Sequence, residues 1–176
     1  MGEAAAYNLA ARMPCADEML AIAASRREEL ATSGLGPRPR RKVAVLACTD
    51  ARIDLFRLLG LVRGDAHIIR NAGGLVTDDA LRSLSVSQRL LGTEEIVVVM
   101  HDGCGLHGAS EDRFLEELAL DGAAPTWRLG AFEDLEATLR DGLARLRSSP
   151  ELPARALIRG FIFDPEKGVL REIVDP

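Results

Sequence analysis

The chain has 176 residues, of which 47% are hydrophobic and 28% are charged, and its formal net charge is -5 at pH 7. This length suits one compact domain with a true core, and the acidic balance argues against a basic surface for nucleic acid. No apolar run approaches the roughly 20 residues of a membrane-spanning helix, and the first residues lack a continuous apolar signal segment. The cysteines are Cys15, Cys48 and Cys104, and this odd number favours metal-bound or free thiols in the cytoplasm over a secreted disulfide framework.

Residues 1–42 are predicted to form an N-terminal helical arm and a connector. Within them, residues 15–32 carry apolar side chains at the spacing of an amphipathic helix, which is expected to close at Gly34 and Gly36. Cys15 is interpreted as a packing residue of this helix. The connector that follows, PRPRRK, combines proline with basic residues, which is typical of a solvated link.

Residues 43–176 are predicted to form an α/β domain in which strands and helices alternate. Four strands are predicted, at KVAVLA, AHIIRNA, EEIVVVMH and RALIRGFIFD. The continuous apolar run KVAVLA predicts a strand covered on both faces, and EEIVVVMH predicts a third strand of the buried type. The run VLREIVD follows the turn PEKG and predicts an antiparallel edge strand. Helices are predicted at IDLFRLLGL, at DDALRSLSVSQRLLG capped by Thr77, at EDRFLEELAL capped by Ser110, and along the stripe Phe132, Leu135, Leu139, Leu143 and Leu146. The predicted fold is therefore an open, mostly parallel sheet of four parallel strands plus an antiparallel edge strand, flanked by helices.

Polar side chains follow three of the predicted strands. Cys48 comes directly after the first strand, Asn71 to Gly74 come after the second, and His101 to Cys104 come after the third. The carboxyl ends of parallel strands meet at one edge of a sheet, which is where such folds gather their chemistry. We therefore expect these three stretches to converge on a single functional site.

Cys48, His101 and Cys104 are good ligands for a soft or borderline cation. The His-x-x-Cys spacing lets two ligands of one loop reach a single tetrahedral ion, while Cys48 approaches from the neighbouring strand. Thiolate and imidazole suit zinc, and three protein ligands leave a fourth position open, as in catalytic zinc sites. On spacing alone, the alternative is a buried structural thiol beside an unrelated histidine.

Asp50 and Arg52 extend this pattern, because alternate residues of an extended segment project to one side. A guanidinium keeps a carboxylate ionised and in a fixed geometry. Asp50 could then accept a hydrogen bond from water in the open zinc position, an arrangement that yields a zinc-bound hydroxide. A plain salt bridge is the alternative. A cysteine phosphatase is disfavoured, because the three residues between Cys48 and Arg52 include no glycine that would let backbone amides surround a phosphate.

Together these motifs resemble those of the β-class carbonic anhydrases, in the style of the small bacterial members. Cys48 to Arg52, CTDAR, resembles the family's Cys-x-Asp-x-Arg motif, and His101 to Gly105, HDGCG, resembles its His-x-x-Cys-Gly motif. The similarity extends through RNAGG, LRSLSVSQRLLGT, PTW and RGFIFDPEKGVL, and it covers most of the chain from Val43 onward.

The resemblance implies a zinc-dependent enzyme that reversibly hydrates carbon dioxide to bicarbonate and a proton. It implies one zinc per chain on Cys48, His101 and Cys104, with Asp50 and Arg52 as the catalytic pair. The substrate pocket implied by the family is lined by Asn71, Ala72, Gly73 and Gly74. The resemblance also implies a homodimer or homotetramer whose N-terminal helix packs on a partner. In some members, the counterpart of Asp50 binds zinc in a closed state at lower pH.

The sequence departs from the family pattern at Asp102 and Gly103, where a hydroxyl residue usually follows the histidine. Asp102 could cap the loop in its place, or its charge could slow the reaction. Two other functions stay open: hydrolysis of carbon disulfide or carbonyl sulfide on the same scaffold, and a catalytically weakened zinc module that senses bicarbonate or binds a partner. His107, six residues past His101, is a candidate proton shuttle, whereas His67 is interpreted as a satisfied strand-end residue.

Overall fold

The computed structural model describes residues 15–32 and 34–174, which form two compact units that divide between Leu35 and Gly36. The N-terminal unit contains α1 (Cys15–Ser25) and the short α2 (Arg27–Leu30). The prediction of one continuous helix over residues 15–32 is therefore wrong. The helix breaks because the backbone of Arg26 leaves the helical region, with φ -107° and ψ 18°. Helix α1 buries none of its residues, and Cys15 is exposed rather than packed.

The second unit is built on a five-stranded sheet. Its strands are β1 (Val43–Cys48), β2 (Ala66–Asn71), β3 (Glu95–His101), β4 (Leu157–Asp164) and β5 (Val169–Ile173). The spatial order is β2-β1-β3-β4-β5. The first four strands run parallel, and β5 pairs antiparallel with β4. This architecture confirms the predicted fold class. Continuous apolar runs such as that of β1 can serve as strands only where both faces of the sheet are covered.

The same unit contains the helices α3 (Leu55–Leu58), α4 (Asp78–Arg89), α5 (Glu111–Leu120) and α6 (Leu135–Ser148), of which α4 and α6 flank the sheet. Helix α4 packs against β1 and β2, and α6 packs against β3 and β4. Thr77 and Ser110 cap α4 and α5 as predicted, since their side chains accept backbone N–H groups of the first turn. Among the described helices, none is long and apolar enough to cross a membrane.

Two helices begin later than their apolar patterns predict. Helix α3 begins at Leu55 because Asp54 is its cap, and it is a single turn rather than the nine residues of IDLFRLLGL. Helix α6 begins at Leu135 because Asp134 has an extended backbone and its side chain accepts the N–H of Ala137 at 2.9 Å. Phe132 therefore lies before α6 instead of on it, although its side chain is still buried.

The core lies around the central strands. All six residues of β1 are buried, and so are the last four residues of β3. Helix α6 contributes Leu139, Leu143 and Leu146, which are almost completely inaccessible to solvent. The ends of β1 and β3 are therefore packed on both faces of the sheet. This packing fixes the backbone from which the residues after these strands continue.

The basic connector packs with the α/β unit. Asp65 is only 5% exposed, and its carboxylate pairs with Arg40 at 2.9 Å and with Arg41 at 3.3 Å. The arginine side chains remain about half exposed, so the prediction of a solvated link describes their outer surface only. His67 bonds to Ser87 and to the carbonyl of Pro37, which confirms that it is a satisfied strand residue.

Candidate metal centre

The sheet brings the three candidate ligands together. Cys48 ends β1 and His101 ends β3, and these strands are direct neighbours. Cys104 returns to the same place after a turn in which Gly103 adopts a φ of 66°. One possible ligand atom from each of the three side chains lies within 4.8 Å of the other two, and all three residues are buried. The predicted convergence at the carboxyl edge of the sheet is therefore present.

The imidazole of His101 is oriented for a metal. Its Nδ1 lies 2.9 Å from the carbonyl oxygen of Asp102, and because a carbonyl can only accept, Nδ1 must carry the proton. The lone pair then resides on Nε2, which is buried and has no hydrogen-bond partner among the described residues. A buried polar atom without a partner is costly, and a cation between the three side chains would satisfy it. Two thiols and one imidazole are a donor set that fits zinc.

The Cys104 thiol is affected by its burial and by the neighbouring Cys48. Burial raises the pKa of the Cys104 thiol, and the nearby Cys48 raises that pKa further. Without a cation, two adjacent thiolates would repel each other in a poorly solvated place. A bound divalent metal favours the two thiolates over the protonated thiols, because its charge stabilises both thiolates. Metal binding at this site must therefore release protons and become stronger as the pH rises.

Asp50 and Arg52 form the predicted ion pair. Arg52 Nε donates to Asp50 Oδ1 at 3.0 Å, and Arg52 Nη2 donates to Oδ2 at 2.8 Å. These hydrogen bonds, together with one from the backbone N–H of Arg52, hold the pKa of Asp50 well below its ordinary value. Asp50 Oδ2 also lies 3.8 Å from His101 Nε2, so an ionised carboxylate faces the candidate metal position.

The local geometry of this pair differs from the prediction. Residues 49–52 were expected to continue in an extended form, but the N–H of Ile53 donates to the carbonyl of Asp50 at 3.1 Å and closes a turn. The pair forms because the Asp50 side chain accepts the backbone N–H of the second residue along the chain, a common turn interaction of aspartate. Alternation along a strand is therefore not the reason for the pairing.

Arg52 also connects the two ligand loops. Its Nη2 donates to the carbonyl of Gly103 at 3.0 Å, which lies between His101 and Cys104. At Asp102, where the sequence departs from the family pattern, the main chain supports the site. The N–H of Asp102 donates to the carbonyl of Phe163, and its carbonyl accepts from His101. The Asp102 side chain is exposed.

Asn71 to Gly74 divide into two pairs. Asn71 and Ala72 line a groove of about 1030 Å³ whose other walls include Leu75, Phe114 and Trp127. Gly73 and Gly74 are buried and are not among the residues that line this groove. A Cβ atom on Gly74 would lie only 3.0 Å from the backbone nitrogen of Cys48 and 3.0 Å from the carbonyl oxygen of Val99. Glycine is required here because the main chain approaches the end of β1 directly.

We expect Gly74→Ala to weaken both the fold and the metal site. Gly74 has a φ of 67°, and Gly92 has a φ of 76° but nothing within 4 Å of its Cβ position. Both alanine variants should lose about 1–2 kcal/mol of unfolding free energy through the left-handed backbone. Gly74→Ala should lose about 1–3 kcal/mol more through crowding against Cys48, with a lower bound-metal content. Urea unfolding and metal analysis of both variants test this, and equal losses would refute the role of the close approach.

Two further side chains near the site are anchored. His107 Nε2 lies 2.9 Å from the carbonyl of Glu133, and its ring stacks on Phe132 with centroids 5.7 Å apart; a shuttle role stays a prediction. Arg70 donates to the carbonyls of Cys48 and Asp50. In the sequence, Arg70 is part of the RNAGG motif, and the one sign of these contacts is a basic residue at the carboxyl end of the strand next to β1.

Comparison with known proteins agrees with this geometry. A carbonic anhydrase family model matches residues 43–131. The chain is 42% identical over 136 residues to β-carbonic anhydrase 1 of Mycobacterium tuberculosis, an alignment that covers 77% of this chain and 83% of the relative. It is 36% identical over 152 residues to a carbon disulfide hydrolase of Acidithiobacillus thiooxidans, covering 74% and 76% of the two chains.

A solved structure gives the same result for the fold. The crystal structure of a carbonic anhydrase from Streptococcus mutans superposes with a TM-score of 0.84 at 38% identity, and the match covers 93% of this chain and 99% of the other. The family-model match spans both ligand loops and the strands β1, β2 and β3. The chain belongs to the β-carbonic anhydrase family.

Proposed function

We propose that this protein is a zinc-dependent carbonic anhydrase that reversibly hydrates carbon dioxide to bicarbonate and a proton. The observation that carries the proposal is the position of Asp50. Its carboxylate is held by Arg52 and lies 3.8 Å from the unpartnered Nε2 of His101. A purely structural metal site would not need an oriented carboxylate on its open side, so this pair supports a catalytic centre over a bicarbonate-sensing or partner-binding module.

Cys48, His101 and Cys104 would hold one zinc ion per chain. When bound, zinc supplies a Lewis acid that makes water nucleophilic at neutral pH. Asp50 accepts a hydrogen bond from the attacking water and orients its lone pair toward carbon dioxide. Arg52 prevents Asp50 from keeping the proton, because the ion pair holds the carboxylate pKa low. Asp50 therefore orients the nucleophile, and the proton passes to solvent.

We assign the substrate pocket to Asn71, Ala72, Gly73 and Gly74. Gly74 lets the main chain come close to the end of β1, and a Cβ atom on Gly73 would lie 3.0 Å from the side chains of Leu106 and Leu75. The surroundings of this turn are thus apolar, which suits a small linear molecule without a dipole. Charged or bulky substrates would have to displace these side chains.

We further propose a homodimer or homotetramer in the cytoplasm. Helix α1 buries none of its residues and exposes Met19, Leu20 and Ile22, which a partner subunit could cover. Thiol ligands such as Cys48 and Cys104 remain available to zinc only while they are reduced, and a reducing compartment preserves them.

Stopped-flow measurement of carbon dioxide hydration on the zinc-loaded protein, between pH 7 and 9, tests this function. We expect catalysis well above the buffer rate, loss of the rate when a chelator removes the metal, and recovery when zinc is added back. A fully zinc-loaded protein whose rate equals that of buffer would contradict the proposal.

The second candidate is carbon disulfide hydrolysis, favoured by the 36% identity to the Acidithiobacillus thiooxidans enzyme. In that reaction carbon disulfide and two waters give carbon dioxide and two molecules of hydrogen sulfide. The same zinc-loaded preparation should release no hydrogen sulfide from carbon disulfide or carbonyl sulfide. Release at a rate above that of carbon dioxide hydration would favour the hydrolase instead.

A further inference from the structure

Arg70 lies at the carboxyl end of β2, beside the strand that carries Cys48. In the parallel register it is opposite Ala47, while Asn71 is opposite Cys48. Its Nε donates to the carbonyl oxygen of Cys48 at 2.8 Å, and its Nη2 donates to the carbonyl oxygen of Asp50 at 2.7 Å. One planar guanidinium therefore joins the main chain of a metal ligand to that of the catalytic carboxylate.

These two hydrogen bonds fall where the sheet stops supporting the main chain. The pairing of β1 with β3 ends at Ala47, and its pairing with β2 ends at Cys48. One further hydrogen bond, from the N–H of Thr49 to the carbonyl of Asn71 at 3.0 Å, follows this pairing, and the next residues enter the turn closed by Ile53. Arg70 binds the carbonyl groups of Cys48 and Asp50, which are the first and third residues of the change from strand to turn. Those peptide groups set the direction in which the Cys48 and Asp50 side chains leave the main chain.

The two arginines of the site have separate tasks. Arg52 binds the carboxylate of Asp50 and the carbonyl of Gly103. Among the residues that the structure describes, Arg70 donates only to the carbonyls of Cys48 and Asp50. We propose that Arg70 is a positioning residue of the metal centre, which sets the main chain of Cys48 and Asp50 and thereby the metal affinity and the aim of the carboxylate. This inference rests on the proposed role of Cys48 as a metal ligand.

The chemistry of the side chain makes the proposal specific. The guanidinium is rigid, always charged, and presents donors in a fork that can reach two carbonyls at once, whereas a lysine ammonium is a point donor on a flexible chain. Arg70→Lys should therefore keep the charge and most of the aliphatic stem but lose the bridge. A displacement of catalytic groups by about 1 Å can lower the rate on the order of 100-fold. Even the conservative change Arg70→Lys should therefore lower the hydration rate measurably.

Arg89 provides a matched control. Its Nε donates to the carbonyl of Glu151 at 2.7 Å, and its Nη2 donates to the carbonyl of Pro150 at 3.3 Å. It is the same kind of exposed arginine bridge between two main-chain carbonyls. It joins α4 to a segment that contributes no ligand, so Arg89→Ala removes a comparable bridge without touching the site.

The test compares wild type, Arg70→Ala, Arg70→Lys and Arg89→Ala. Zinc affinity is measured by competition with a chromophoric chelator, and ligand geometry by the visible absorption of the Co²⁺-substituted proteins. We expect both Arg70 variants to lose about 10–100-fold in zinc affinity, as for other partners that orient ligands, and to change the Co²⁺ spectrum. Added guanidinium should partly restore the spectrum of Arg70→Ala. Arg89→Ala should keep wild-type affinity and spectrum.

Unchanged affinity and spectrum in a folded Arg70 variant, or equal losses in Arg89→Ala, would overturn the proposal. If circular dichroism shows that Arg70→Ala does not fold, Arg70→Lys decides. Hydration rates measured in parallel separate the two hypotheses. An active wild type with unchanged Arg70 variants contradicts only the role of Arg70. A wild type that binds zinc without hydrating carbon dioxide contradicts the proposed function, and the metal measurements still decide the role of Arg70.

Discussion

Replacing Cys104 by serine is expected to remove most of the zinc and nearly all of the hydration activity. The change substitutes a poor hydroxyl ligand for one of two buried thiolates, while His101 Nε2 and Cys48 remain in place. Loss of an outer partner costs about 10–100-fold in affinity, so loss of a direct ligand should cost more. Metal analysis after dialysis against a chelator measures the effect, and the wild type should retain about one zinc per chain.

Cys15→Ser is the control for this variant. Cys15 is an exposed thiol of α1 and lies outside the ligand cluster, so its serine variant should keep both zinc and activity. Circular dichroism of Cys104→Ser separates loss of metal from loss of fold. Full zinc retention in a folded Cys104→Ser protein would disprove the assignment of this residue as a ligand.

Replacing Asp50 by asparagine is expected to leave zinc bound while lowering the hydration rate by about 10²–10⁴-fold, the usual contribution of a positioned proton acceptor. The amide has nearly the same shape as the carboxylate but lacks the charge that pairs with Arg52. It can also turn an N–H group toward the water that Asp50 should orient. Stopped-flow hydration and metal analysis on the same sample measure the two effects separately.

Asp164→Asn is the matched control for Asp50. Asp164 also accepts backbone N–H groups and pairs with a basic side chain, Lys167 at 2.7 Å. Its side chain is 19% exposed, against 18% for Asp50, and its pKa is also lowered, first by the hydrogen bond to Lys167. This variant should keep its activity. Equal activity of Asp50→Asn and wild type, at equal zinc content, would rule out the catalytic role.

The two central strands could be predicted because buried strands have a simple local pattern. The apolar runs VAVLAC and EIVVVMH match β1 and β3 and are buried over most of their length. Helix starts were less predictable, since an apolar stripe records which side chains are buried but not where the backbone becomes helical. Phe132 fits the stripe of α6 yet precedes its cap at Asp134.

By itself, the sequence determined the succession of strands and helices along the chain. It also determined the chemical types of the candidate ligands and their position at strand ends. The physical reason is that parallel strands place their carboxyl ends at one edge, so Cys48 and His101 had to meet there. The tertiary structure decided the turn at Asp50, the close approach of Gly74 to Cys48, and the bridge from Arg70. The turn at Asp50 is closed by a local hydrogen bond, whereas the approach of Gly74 and the bridge from Arg70 join residues far apart in sequence. Side-chain periodicity does not predict these two long-range contacts, because they depend on which strands become neighbours.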